Sequence, residues 1–361
     1  MADNPTESGA AVDDLKAAGL MIYGANGYTG TLIAERAAER GLTPILAGRS
    51  EGPVRALAER LGLPWRVFDL KAVGDGLAGV STVLMTAGPF SKTAEPMVRA
   101  CMAAGANYVD ITGEIAVFEA LHAMDNEAGA AGIVMLPGAG FDVVPSDCLA
   151  AHVHRRLPDA TRLSLVIGGL DDVSRGTAKT MLEGVAMGTA VRRGGRIVTL
   201  DEPPRGSVDL GGGVKPTVGV SWGDVSTAYH STGIPHIDVY FEASEQMEKA
   251  MGMPPLVRRF MGSALGQWIG RKAIDRMPPG PTAAVRETAR AVLLADAEND
   301  KGERAASELE TPEGYKLTAM TALEAALRVD RGEVQPGFQT PSKAFGPDFV
   351  MGFAGVVRRD L

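Results

Sequence analysis

From about residue 19 to residue 147, short apolar runs alternate with stretches of helical periodicity, the pattern of a parallel sheet covered by helices on both faces. The strands it predicts are 19–23, 44–47, 65–68, 82–86, 107–110 and 133–135. Helices are expected from Tyr28 to Arg40, stopped by Gly41, and from Pro53 to Leu61, stopped by Gly62. A third, near Pro96 to Ala104, is expected to start on its proline and stop at Gly105, and a fourth begins near Ser146. Beyond residue 150 the rhythm changes. Leu163, Leu165 and Ile167 alternate with smaller groups and predict a strand over 160–170; a helix is expected over 174–193. Residues 192–219 read as loops and short strands, 237–243 as a clearly alternating strand, and 286–297 as another antiparallel to it. Residues 302–307 then form a link or turn and 317–328 a helix. The division this suggests is a flexible leader over 1–18, a first α/β domain over 19–149 and a substrate or dimerisation domain over 150–336. A C-terminal segment, 337–361, is expected to return to the first domain as a short helix packed by its aromatics.

One junction carries the chemistry. Leu20 to Tyr23 is an apolar strand, Gly24-Ala25-Asn26-Gly27 a turn, and Tyr28-Thr29-Gly30 the opening of a helix. Such a junction aims main-chain amides and the positive end of a helix dipole at one spot, which suits a phosphate. Gly24 makes the tight turn, Gly27 admits a pyrophosphate close to the backbone, and Gly30 lets helix pack on strand. The spacing is G-x-x-G-x-x-G, with the first glycine one residue earlier than in the usual dinucleotide fingerprint. The next strand ends in Gly48-Arg49-Ser50, where an NAD-preferring site would place a carboxylate for the ribose 2′-hydroxyl. A guanidinium and a hydroxyl match a 2′-phosphate instead, so the expected cofactor is NADP(H). Asp69, after the third strand, either meets the adenine amino group or caps a helix N-terminus. Ala87, Gly88, Pro89 and Phe90, after the fourth, are expected to pass along the ribose and nicotinamide. Asp110 and Glu114 follow the fifth, with capping the favoured role, and the loop 136–147 is expected near the nicotinamide.

Composition excludes several classes. A chain of 361 residues with net charge −8 lacks the basic face of a general nucleic-acid binder. Its two cysteines, Cys101 and Cys148, give neither a disulfide framework nor a metal spacing; no metal is expected, and both read as buried thiols of a reducing compartment. The acidic first residues do not resemble a targeting peptide and no apolar run is long enough to span a bilayer, so the expectation is a cytoplasmic protein. Residues 247–277 are unusual. Met251, Met253, Phe260, Met261, Leu265, Trp268 and Ile269 are flanked by Arg258, Arg259, Arg271 and Lys272. A core or homodimer helix is the favoured reading; contact with a membrane surface or a lipid-like substrate is the alternative.

For the proton that a reductase must handle, the second domain offers Tyr229 and Lys179, then His230 and His236, with Arg175 for an anionic group. His152 and His154 read as residues on a helix surface. There is no G-x-S-x-G elbow and no Tyr-x-x-x-Lys pair.

Taken together, Gly24-Ala25-Asn26-Gly27-Tyr28-Thr29-Gly30, Ala47-Gly48-Arg49-Ser50, Ala87-Gly88-Pro89-Phe90, Tyr108-Val109-Asp110-Ile111-Thr112-Gly113-Glu114 and Gly140-Phe141-Asp142-Val143-Val144-Pro145-Ser146-Asp147 resemble the saccharopine dehydrogenase-like oxidoreductases. Within them the chain is most similar to the trans-acting enoyl reductase branch, and the likeness continues through Ser174-Arg175-Gly176-Thr177, residues 223–235, 311–315 and 337–341. The resemblance implies a Rossmann doubly wound parallel sheet, a second α+β domain on a mixed or antiparallel sheet, and NADP(H) redox chemistry. It leaves three functions open: reduction of an enoyl group in a lipid-like, polyketide-like or acyl-thioester small molecule, a saccharopine-type amino-acid (imine) dehydrogenase, and a non-catalytic NADP(H) sensor. An enoyl reductase needs a donor facing the substrate carbonyl; an imine reductase needs an arginine cluster and a general acid.

Overall fold

The computed structural model describes residues 19–169, 174–184, 188–243 and 255–361; the expected leader and residues 247–254 lie outside them. The first sheet takes its strands from the apolar runs: β1 (Leu20–Tyr23), β2 (Ile45–Gly48), β3 (Trp65–Val67), β4 (Thr82–Met85), β5 (Asn107–Asp110) and β6 (Val134–Leu136). With the late strand β15 (Gly337–Phe338) they form an all-parallel sheet in the order β15-β6-β5-β4-β1-β2-β3. That is the doubly wound order, whose reversal between β1 and β4 opens a crevice at the carboxyl ends of the strands. β1 is buried on both sides: Leu20 and Ile22 join one core, Met21 and Tyr23 the other. A continuous apolar run is what a central parallel strand requires.

The helices of this half are α1 (Tyr28–Glu39), α2 (Glu51–Leu61), α3 (Phe90–Ala104), α4 (Ile115–Ala123), α5 (Asp125–Ala131) and α6 (Val144–Arg156). α3 corrects the sequence reading: it begins at Phe90, not at Pro96, and Pro96 sits inside it. The missing N–H falls on the exposed face. Glu114, brought round from beyond β5, supplies the N-terminal cap that a proline start was expected to replace.

The second sheet is mixed. Its path is β10 (Arg205–Asp209), β11 (Val214–Gly219), β12 (His236–Glu242), β7 (Arg162–Gly168), β13 (Arg290–Glu298), β14 (Arg304–Pro312) and β16 (Val357–Asp360). β8 (Thr189–Arg193) and β9 (Arg196–Leu200) form a hairpin on β12. Only β12 and β7 run parallel; the other pairs are antiparallel. Three expectations change here. The helix drawn to residue 193 is α7 (Arg175–Gly184), and 189–193 is a strand turning tightly at Gly194-Gly195 into β9. The strand drawn from 286 starts at 290, after the short α11 (Ala283–Thr288), and it pairs with β7 and β14, not with 237–243. The turn expected over 302–307 is a strand from 304, alternately buried, so its period-2 pattern outweighs the glycine before it.

The remaining helices are α8 (Asp224–Thr232), α9 (Pro255–Gly262), α10 (Ala264–Ile274), α12 (Gly314–Asp330) and α13 (Pro341–Phe345). The chain crosses between the two sheets more than once. α12 follows the second sheet in sequence yet packs on α1 and on β1, β4 and β5 of the first. In the tail, β15 extends the first sheet and β16 the second, while Phe345, Phe349 and Phe353 stack between them with ring centroids 4.5 and 5.2 Å apart. One apolar core therefore runs unbroken from Ile22 and Val109 of the first sheet to Ile237 and Leu293 of the second.

Candidate functional site

The turn after β1 is shaped by its neighbours on β2 and β4. The Thr86 amide and hydroxyl both donate to the Tyr23 carbonyl (2.8 and 3.0 Å), and the amides of Gly24 and Ala25 donate to Ala47 O (2.8 and 3.2 Å). Gly24 has φ +89°, and a Cβ there would stand 2.7 Å from Ala87 N. A Cβ on Gly30 would stand 2.4 Å from Gly24 O, so helix and strand touch backbone to backbone. Gly27 precedes α1, its amide donating to Gly24 O at 2.9 Å. The first helical bond is Thr31 N to Gly27 O, which leaves the amides of Tyr28, Thr29 and Gly30 at the open end of the dipole. No acidic side chain occupies that first turn and no side chain caps it. An anion-sized place is thus left at a helix N-terminus, with exposed Asn26 beside Gly48 at its edge.

Beyond β2, Arg49 and Ser50 are exposed. Arg49 makes no hydrogen bond or ion pair among the described residues, and the Ser50 hydroxyl does not cap α2, which starts just after it. Across the rim the Tyr23 hydroxyl donates to Phe68 O at 2.9 Å. Burial raises its pKa, Asp69 adds to that and Arg49 opposes it, so both charges act on one spot. Asp69 takes the Lys71 amide on Oδ1 (2.8 Å); turn capping is the role its hydrogen bonds support.

The segment after β4 is held equally firmly. The Thr93 hydroxyl donates to Ala87 O (2.7 Å) and Pro89 O (3.1 Å), Gly88–Pro89 is cis, and the Phe90 ring lies against Gly88. The amides of Phe90 and Ser91 donate to the two Glu114 carboxylate oxygens (2.8 and 2.9 Å). Glu114 therefore caps α3. Asp110 is wholly buried and accepts from the Tyr108 hydroxyl (2.7 Å) and from the amides of Thr112 and Gly138 (both 2.9 Å), latching the loop after β6 to β5. Burial outweighs those bonds and pushes its pKa up to about 6.

Segments from the second half close over this edge. The Tyr28 side chain turns away from the phosphate loop: its hydroxyl donates to Pro281 O (2.5 Å) and accepts from Arg286 (2.8 Å), and its ring meets Tyr315 edge-on at 5.1 Å. Tyr28 can thus offer a cofactor only its amide. Tyr315 accepts from Ser174 N (2.7 Å) and its hydroxyl pairs with that of Thr177 (2.9 Å), which roots α7 beside the cleft. Asp142, in the loop after β6, packs against Gly113, where a Cβ would lie 2.9 Å from its Oδ2. It is half-buried, makes no hydrogen bond among the described residues, and burial alone raises its pKa to about 7. Two further carboxyls behind it are sealed in. Asp147 accepts from Ser231 and from Ser342 N, and Asp224 from Ser146 (2.8 Å) with Oδ1 left without a partner.

Tyr229 and Lys179 are not brought together. α8 starts beside Gly113 and Phe118 and runs alongside α4 away from the strand ends, with Tyr229 in its last turns. The Arg192 guanidinium lies 4.1 Å over the Tyr229 ring. Arg192 itself is buried and bonded to Val225 O, Gly195 O and Glu119 (2.7, 2.7 and 2.8 Å). Glu119 also takes Ser226 and His230, and those bonds, led by that of His230, lower its pKa to about 2. His230 stacks on His122 at 4.0 Å. Lys179, half-exposed on α7, pairs with Asp275 at 2.7 Å. Arg175 spends its Nε on Met277 O, and His236 faces the Gly194 amide. His152 is buried rather than on a surface, its Nε2 2.7 Å from Asp360, because α6 lies under β13 and β14. Sequence reasoning passed over Asp142 as a titrating group. The available signal was a carboxylate in a glycine- and proline-broken loop at the carboxyl end of a strand.

No protein-family model matches the chain. Proteins named trans-acting enoyl reductase, from Mycobacterium tuberculosis and Mycobacterium bovis, are 26% identical to it over 392 aligned residues, covering 91% of this chain and 93% of theirs. One from Mycobacterium leprae is 34% identical over 149 residues, 38% of this chain and 36% of that protein. Among solved structures, an L-Glu-forming saccharopine dehydrogenase from Saccharomyces cerevisiae superposes with a TM-score of 0.63 at 13% identity, covering 95% of this chain and 99% of that one. These likenesses support an oxidoreductase: the chain is similar along nearly all its length to trans-acting enoyl reductases and has the fold of a saccharopine dehydrogenase.

Proposed function

We propose that the protein is an NADP(H)-dependent oxidoreductase that reduces a carbon–carbon double bond in an enoyl or related lipid-like or acyl-thioester substrate. The observation that carries the cofactor half is the unspent first turn of α1 together with an exposed Arg49, at the end of the neighbouring strand, that has no hydrogen bond or ion pair among the described residues. The residues present fit the group: the amides of Tyr28, Thr29 and Gly30 with Asn26 for the pyrophosphate, Arg49 and Ser50 for the 2′-phosphate, and Ala87 to Phe90 along the nicotinamide side. Residues 19–149 then act as the dinucleotide-binding unit and 150–336 largely as the substrate side. The bound cofactor supplies a hydride. The chain must supply the proton, and we assign that role to Asp142, a partly exposed carboxyl in the loop at the strand ends with no hydrogen-bond partner among the described residues and a pKa that burial raises to about 7. Tyr229 and Lys179, the two separate candidates for the proton that the sequence offers, enter this scheme only as residues of the second half. The reading of the substrate rests on the names of the mycobacterial relatives.

Replacing Arg49 with Ala tests the cofactor. One charge-assisted hydrogen bond is worth about 1.5–3 kcal/mol, so NADPH binding should weaken by roughly 10- to 100-fold while NADH binding stays unchanged. Equal weakening of both makes Arg49 structural. Consumption of NADPH against a panel of enoyl thioesters, imines and ketones tests the reaction. Tight binding without turnover on any of them favours the sensor reading.

A further inference from the structure

The segment 255–277 is neither core nor surface of an ordinary kind. α9 and α10 meet at Ser263, whose hydroxyl donates to Phe260 O and accepts from Gly266 N (3.2 Å). One face of α10 is fixed to the protein: Gly270 abuts Leu182 of α7, and Gln267 donates to Leu182 O at 2.8 Å. The opposite face is bare. Phe260 is 46% exposed, Leu265 58%, Trp268 60% and Ile269 46%, and the last three form one stripe at helical spacing. The stripe continues into Lys272 and Arg276, both exposed. The stretch holds five basic residues (258, 259, 271, 272 and 276) against one acidic residue (275), in a chain of net charge −8.

We propose that this face is a docking surface for an anionic lipid membrane, with α10 lying in the interface. Large apolar side chains with tryptophan among them, bordered by lysine and arginine, are what an interfacial helix presents to headgroups and acyl chains. Charge chooses the occupant. A second copy docked two-fold on the same patch would set this positive segment against itself, whereas an anionic surface attracts it and repels the acidic remainder, which fixes the orientation. α10 rests on α7, and α7 is tied through Ser174 and Thr177 to Tyr315 at the cleft, so the docked face stands one layer from the dinucleotide edge. The surface stands independently of which cofactor or substrate the cleft takes.

Co-sedimentation of the full chain with phosphatidylcholine vesicles, with and without phosphatidylglycerol, tests the proposal. Wild type should pellet with the anionic vesicles and be released by salt. L265S/W268S/I269S should lose pelleting altogether, and K272E/R276E should lose roughly tenfold or more in partitioning. Thermal melts of both variants should overlay wild type, since the altered side chains are exposed. No pelleting of wild type, or equal pelleting of the triple variant, overturns the proposal. A dimer on size exclusion that the triple variant disperses, in a protein that ignores vesicles, assigns the face to a second copy and overturns it too. So does pairing with an acidic protein through the same three side chains.

Discussion

Replacing Gly30 with Ala tests how closely the cradle is built. The added methyl would stand 2.4 Å from Gly24 O, 2.8 Å from Thr86 Oγ1 and 2.9 Å from Ala25 Cα. Two of these are backbone atoms that cannot rotate away, so α1 must retreat from β1 by about 1 Å to restore van der Waals contact. Overpacking of this kind costs about 1–3 kcal/mol, here at the upper end, against about 1 kcal/mol gained in helix propensity. The net loss is about 2 kcal/mol. At roughly 2 cal/mol/K per residue of unfolding entropy, a chain of 361 residues should melt about 3 °C lower. The same retreat draws the amides of Tyr28, Thr29 and Gly30 away from their anion, and NADPH affinity should fall by about tenfold or more. Gly129, exposed within α5 with nothing within 4 Å of a Cβ, is the control: Ala there should stabilise by about 0.5–1 kcal/mol and leave cofactor binding alone. Differential scanning fluorimetry and a fluorescence titration with NADPH read both effects. A Gly30→Ala protein with wild-type melting and wild-type affinity would refute the idea that this contact sets the cradle.

In Asp142→Asn, turnover should fall by about 10²- to 10⁴-fold with NADPH affinity retained, and the loss of wild-type kcat as pH rises through about 7 should vanish with it. The sign in stability is also fixed. A carboxyl whose folded pKa is raised from 3.8 to about 7 gives stability that is present below pH 3.8 and lost as pH rises toward 7, so denaturant midpoints should show the Asn variant gaining on wild type between about pH 4 and pH 7 and holding that gain above it. Glu119 has the opposite sign: with its pKa lowered from 4.5 to about 2, it stabilises above pH 4.5 and that stability is lost as pH falls toward 2. Glu119→Gln should therefore flatten urea stability across that acid range while leaving Arg192 short of an anion, at a cost of about 1–3 kcal/mol at neutral pH, since the exposed side of Glu119 lets solvent screen the pair. Glu114→Ala removes the cap from Phe90 N and Ser91 N, and should cost about 0.5–2 kcal/mol in thermal stability and loosen NADPH binding through the Ala87–Phe90 turn.

The first sheet was readable because its central strands β1, β2 and β4 are short apolar runs buried on both faces and ended by punctuation, which leaves no ambiguity of register, while β3, at the edge, leaves Trp65 and Val67 exposed. Pro96 misled because proline favours the first turn of a helix, yet it is also tolerated inside one at an exposed position. The residue that caps its true start, Glu114, lies ten residues beyond the end of the helix and shows in no local pattern. The second sheet resisted for a related reason. The boundary at Thr189 is set by pairing with β9 and β12, and the strand at Arg304 by pairing with β13 and β16, partners that lie outside the local sequence. α12 looks like any amphipathic helix; that it covers the first sheet rather than the second is a fact of tertiary packing alone.

The candidate site divides along the same line, and the division has a physical cause. A phosphate cradle is made of main chain, and main-chain geometry is written locally: Gly24 and Gly30 are required by atoms within a few residues of them or on an adjacent strand. A proton donor is made by surroundings. Asp142 has its pKa raised to about 7 by burial against Gly113 and makes no hydrogen bond among the described residues, while Asp110, four residues before Glu114 and outwardly as promising, is spent on three donors. Tyr229 and Lys179 have suitable chemistry as residue types, yet Arg192 covers one and Asp275 pairs the other. Residue type proposes an acid, but the absence of a partner decides which carboxyl is free to act, and that absence exists only in the folded chain.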